Sequence, residues 1–146
     1  MRAAAALAAA VALALPAAAP GAKPARTYSG QSSAGTAVGF KVSTGYVRGF
    51  AIGYVAECDD GETLRGTFRF KPAKVTDGRW AVSGPGSGRL PDGRTTASKL
   101  RLSGELAGRR ARGAFSITTQ MARPDGNGVA TCRSGRVTWK ASRPPA

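Results

Sequence analysis

Apolar and polar residues alternate with a period of two along most of the chain. Val38, Phe40 and Val42 are interleaved with Gly39, Lys41 and Ser43. Phe50, Ile52, Tyr54 and Ala56 keep the same spacing, and Leu64, Phe68 and Phe70 are set among Arg65, Thr67, Arg69 and Lys71. The rhythm returns in Leu100 and Leu102 against Lys99, Arg101 and Ser103, and in Phe115 and Ile117 against Ser116 and Thr118. It returns once more in Val137 and Trp139 against Arg136, Thr138 and Lys140. Successive side chains of a strand point to opposite faces, so this pattern predicts half-buried strands. Glycine recurs every few residues, which makes a long helix costly.

Between these runs lie Asp60-Gly61, Asp77-Gly78, Pro91-Asp92-Gly93, Pro124-Asp125-Gly126 and Asn127-Gly128. Asp-Gly and Asn-Gly suit the positive-φ positions of tight hairpins. Together the strands and turns predict an all-β domain, an antiparallel meander of about eight strands forming a small barrel or a two-sheet sandwich. The barrel is favoured because closure removes exposed edges. A local echo joins "LRGTFRF" at 64–70, "LRLSGELAG" at 100–108 and "ARGAFSI" at 111–117, which reads as shared hairpin grammar. The run Val47–Val55 departs from the rule, because both of its faces are uncharged apart from Arg48. One face carries Phe50, Ile52 and Tyr54; the other carries Val47, Gly49, Ala51, Gly53 and Val55. A strand apolar on both faces is normally covered on both. The cover is either an N-terminal arm or loop, or a subunit or ligand contact.

The N-terminus has a different character. Met1-Arg2 precedes an uncharged apolar run from Ala3 to Leu15, and Pro16-Ala17-Ala18-Ala19 follows. That is the layout of a secretory signal, with cleavage expected near Ala19 or Ala25. The run is short and mostly alanine, whereas a spanning helix needs about 20 strongly apolar residues. The expected organisation is a signal peptide and short arm over 1–25 and a single β domain over 26–146. A mature chain of this length can bury roughly two thirds of its unfolded surface.

Export changes the reading of the cysteines. Cys58 and Cys132 are the only two, and an even count in an exported protein points to a disulfide. The formal net charge is +14, and a chain beginning at Arg26 keeps 20 basic residues against eight acids, a net +12. A GC-rich genome also tends to encode much Ala, Gly, Arg and Pro, so part of this charge reflects composition.

Candidate chemistry is narrow. The stretch "ECDDGE" at 57–62 holds four of the eight acids. Asp60, Asp77, Asp92 and Asp125 each precede glycine and read as turn residues. Glu57, Asp59, Glu62 and Glu105 remain, without the alternating spacing of a calcium loop. Glu62 and Glu105 are the one pair that a glycosidase-like reading would bring together. The chain has no histidine, which excludes Ser-His-Asp and Cys-His sets. Two cysteines without histidine do not build a four-ligand zinc site. "GPGSGR" at 84–89 lacks the Lys-Ser/Thr ending of a phosphate loop and reads as a flexible connection between strands. Ser98-Lys99 and Ser142 are the material for a Ser-Lys pair, although Ser98 and Lys99 are adjacent on a strand, point to opposite faces and would not meet each other. A non-enzymatic protein is expected, with no cofactor and no metal.

The basic residues are the positive signal. Arg65, Arg69 and Lys71 share the outward parity of one strand, Lys99 and Arg101 that of a second, Arg110 and Arg112 that of a third, and Arg136 and Lys140 that of a fourth. Side by side, such strands would carry a field that attracts polyanions. Phe40, Phe68, Phe70 and Phe115 fall on the inward parity, so no exposed platform for stacking bases is expected. The expected partners are an anionic wall polymer or a phospholipid surface, without sequence-specific nucleic-acid binding and without integral membrane insertion.

"YSGQSSAGTAVGFKVSTGYVRGF" at 28–50, "CDDG" at 58–61 and "CRSGRVTWKA" at 132–141 resemble segments of small secreted all-β proteins of GC-rich bacteria. The resemblance implies a β-rich exported domain with its two cysteines paired, and it brings no activity or ligand. The expected function is therefore a binding or structural module of the cell surface or exterior. A barrel carrying a small apolar ligand is the first alternative, and a hydrolase the second.

Overall fold

The computed structural model describes residues 23–145. The expected signal run and the cleavage position at Ala19 lie outside the described residues. Ten strands follow: β1 (Arg26–Ser32), β2 (Ala37–Ser43), β3 (Tyr46–Cys58), β4 (Thr63–Arg69), β5 (Ala73–Lys74), β6 (Arg79–Arg89), β7 (Thr95–Ala107), β8 (Arg110–Ala122), β9 (Val129–Arg133) and β10 (Val137–Ser142). All of their pairings are antiparallel. The described residues contain no helix long and apolar enough to cross a membrane.

Six strands close a barrel in the order β1-β2-β3-β9-β8-β10. β7 and then β6 extend the sheet beyond β8, and β4 and β5 attach to β3. β8 gives one edge to β7 and divides the other, pairing with β10 over Arg110–Phe115 and with β9 over Thr118–Ala122. At the break between β9 and β10 the Ile117 N–H donates to Ser134 Oγ at 2.9 Å. The Ser134 N–H donates to the Ile117 carbonyl at 3.0 Å, so the ladder continues across the gap.

The interior is filled with rings. Tyr28 stacks on Phe40 at 4.9 Å, Phe40 stacks on Phe50 at 5.2 Å, and Trp80 lies 5.7 Å from Trp139. Each of these side chains is buried, as are Phe70 and Phe115. A smaller cluster of Ala56, Leu64, Met121 and Ala130 surrounds the Cys58–Cys132 disulfide, whose cysteines are directly opposed on β3 and β9.

Two expectations are corrected. Val47 faces the core at 2% exposure, not the opposite face. The register shifts between Gly39 and Lys41, so two residues of β3 oppose one of β2, and Gly49 takes φ 60° in the bulge. One extra residue reverses the parity of everything before it. On that face Gly53 lies against the β1–β2 turn, where the Thr36 hydroxyl donates to the Gly53 carbonyl. A loop therefore covers at least part of it. The second correction concerns 84–89, which is the far half of β6 and not a flexible loop. β6 pairs only with β7, and an edge strand accommodates Pro85. Gly86 gives clearance, since a Cβ there would sit 2.9 Å from Phe68 Cζ.

Candidate functional site

The outward faces of β6, β7, β8 and β10 form a grid fixed by strand register. Arg79, Glu105, Arg112 and Lys140 make one row across the strands. Ala81, Ser103, Ala114 and Thr138 make the next, and Ser83, Arg101 and Ser116 the one after. Pro85, Lys99, Thr118 and Arg133 make the fourth. Apart from Arg101 the two middle rows hold small side chains, so the sheet is hollow there and long cations rise around it. Five shallow depressions follow one another along the strands, each sharing lining residues with the next, and together they outline a trough. Arg101 and Ser116 mark one end, Arg136 and Ala114 the centre, Arg112 and Lys140 the next stretch, and Arg110 and Ser142 the far end.

Neighbouring strands lie about 4.8 Å apart, so the cations of β7, β8 and β10 share one electrostatic surface. Lys99, Arg101, Arg110, Arg136 and Lys140 form no ion pair among the described residues. Arg112 lies 3.7 Å from Glu105, but its side chain stays 75% exposed. Among the described residues Glu105 is the only carboxylate on the trough wall. The exposed large apolar side chains, Tyr46 and Val129, lie elsewhere.

The nine candidate cations are all exposed. Six of them converge: Lys99, Arg101, Arg110, Arg112, Arg136 and Lys140. Arg65, Arg69 and Lys71 do not join them. Arg65 and Arg69 sit on β4 opposite Val55 and Ala51, and β4 stands three strands from β8 along β8-β9-β3-β4. Sequence reasoning missed Arg79, which lines the trough beside Glu105. The signal was there, because Arg79, Ala81 and Ser83 alternate with Trp80 and Val82 directly after the Asp77-Gly78 turn.

The acids clustered at "ECDDGE" are engaged locally. Asp60 Oδ1 accepts from the Glu62 N–H at 3.0 Å. Asp92 and Asp125 repeat the contact with the N–H groups of Arg94 and Asn127, at 3.1 and 2.9 Å. Arg94 ties the turn tips together: it donates to Glu62 Oε1 at 3.1 Å, to Asp92 Oδ2 at 2.7 Å and to the Ala122 carbonyl at 2.9 Å. The backbone N–H of Arg94, then its side chain, hold the Asp92 carboxyl below its ordinary range. Glu62, and after it Asp92, raise the Arg94 guanidinium. Asp59 reaches Arg123 at 3.9 Å, and Glu57 accepts from the Thr63 hydroxyl at 3.2 Å. Glu62 and Glu105 have different partners, Arg94 and Arg112. No protein-family model matches the chain, and no curated protein matches it.

Proposed function

We propose that this is an exported, non-enzymatic module of the cell surface that binds anionic polymers in the trough on β6, β7, β8 and β10. The observation that carries the reading is the convergence of Lys99, Arg101, Arg110, Arg112, Arg136 and Lys140 on one depression with a single carboxylate. Cations without protein partners are available to displace counterions from a polyanion, which is the dominant source of affinity in such complexes. The ring-filled interior supports a module over a carrier of apolar ligands, and carboxylates bonded to arginines and turns support binding over hydrolysis. The disulfide fits an oxidising compartment.

Heparin chromatography tests the reading. The oxidised protein is expected to bind at low salt and elute in moderate salt. With about five anionic contacts, affinity should fall on the order of 10²–10³-fold between 50 and 200 mM salt. Neutralising Arg101, Arg112, Arg136 and Lys140 to glutamine should abolish retention, whereas neutralising Arg65, Arg69 and Lys71 should leave most of it. Failure of the wild type to bind at low salt, or the reverse ranking of the two variants, would overturn the proposal.

A further inference from the structure

We infer, resting on that reading, that the occupant of the trough is a single linear phosphate or phosphodiester chain lying along the strands, and not a lipid surface. Three features point to this. The first is direction. Adjoining depressions follow β8 from Arg110 to Thr118, about 27 Å at roughly 3.4 Å per residue, each sharing lining residues with its neighbour. A point anion would use one of them, whereas a chain uses all of them.

The second is the placement of the cations on both banks. Arg101 on β7 and Arg136, the residue just before β10, line the same stretch of the depression on either side of Ser116 on β8. The floor between them is Ser103, Ala114 and Ser116, small side chains that leave room for a narrow backbone and supply hydroxyl donors. The third is what the face lacks. A surface that inserts into a bilayer presents apolar side chains at the headgroup boundary, and one that stacks bases presents aromatic rings. The exposed large apolar residues, Tyr46 and Val129, lie outside the trough, and the phenylalanines and tryptophans point inward. Glu105, beside Arg112 and opposite Arg79, is then a built-in brake on the anion's path.

The test titrates the oxidised protein with inorganic polyphosphate of graded length, with orthophosphate, and with vesicles of anionic phospholipid. Affinity should climb with chain length and level off once a chain covers the trough, with orthophosphate and vesicles far weaker. Ala114→Trp raises a bulky ring from the floor without changing charge and should weaken the longest chain at least tenfold. Glu105→Gln should tighten binding about three- to tenfold at low salt, because one like charge leaves the path. If Ala114→Trp does not fold, Ser116→Tyr makes the same obstruction one row away. Several results would overturn the inference while leaving polyanion binding intact: affinity independent of length, an obstructed trough that binds as well as the open one, or vesicles preferred over chains. Absence of binding to every anion, heparin included, would instead end the broader reading.

Discussion

Gly104 and Gly113 are glycines because two indoles occupy the space their side chains would need. Trp80, Gly104, Gly113 and Trp139 form one inward row across β6, β7, β8 and β10. A Cβ on Gly104 would fall 2.1 Å from Trp80 Cζ2, and one on Gly113 would fall 2.6 Å from Trp139 Cζ2 and 1.9 Å from the Ser103 carbonyl oxygen. Each ring lies over the backbone of the next strand, and the same stretch of backbone is the floor of the trough outside. The indole N–H groups of Trp80 and Trp139 find no hydrogen-bond partner among the described residues. Gly104→Ala should therefore destabilise by about 3 kcal/mol, at the upper end of ordinary overpacking. Urea denaturation measures this directly. A midpoint equal to that of the wild type would mean that the indole can move aside and that the glycine is not a clearance device.

The hairpins show how far one element can be read from its own residues. Asp60, Asp92 and Asp125 all bond the N–H two residues on, and Gly61, Gly93 and Gly126 follow them with φ of 86°, 89° and 76°. Arg94 adds a tie between separate turns that no local pattern announces. The Asp92 carboxyl is depressed in the folded state, so its stabilisation is present above the ordinary carboxylate pKa and lost as pH falls through the folded value. The melting temperature of the wild type should therefore fall more steeply below about pH 4 than that of Asp92→Asn, which keeps the acceptor oxygen but does not titrate. Parallel curves for the two proteins would show that the contact carries no proton linkage. β2, β4, β7, β8 and β10 were legible because large apolar residues alternate with charged ones. β1 and β6 were not. Their inward positions include Gly30, Gly84 and Gly86, half-buried glycines that hydropathy does not score as core. A Cβ on Gly30 would meet the Lys140 carbonyl oxygen at 1.9 Å, a constraint set by a strand more than a hundred residues away. The bulge at Gly49 was hidden for a similar reason, since a glycine continues a strand or breaks it depending on its partner. For the trough, outward parity was legible residue by residue. Which strands lie side by side was not, and that alone separates Arg65, Arg69 and Lys71 from the other six cations.

Across the whole molecule, the barrel has one thin seam. β9 joins β8 through five residue pairs but joins β3 through only two, Glu57 with Arg133 and Cys58 with Cys132. The disulfide falls on that seam and links residues 74 positions apart. In the chain-entropy picture a loop of that length is worth about 4 kcal/mol. The trough lies on β6, β7, β8 and β10, where β6–β7 and β7–β8 share long unbroken ladders. Opening β3 from β9 exposes the small cluster of Ala56, Leu64, Met121 and Ala130 and leaves the packing of Trp80 against Trp139 in place. Regions that open locally do so according to their own contact density and not that of the whole. The double variant Cys58→Ser, Cys132→Ser should therefore lose roughly 3–4 kcal/mol of stability, with hydrogen exchange accelerating first at Asp59 and Thr131. Backbone amides of Leu102 and Ala114 should keep their protection relative to the seam, and heparin retention should persist below the lowered melting temperature. If amides at the seam and beneath the trough accelerate together, the barrel opens as a single unit and the disulfide holds the binding face as directly as it holds β9.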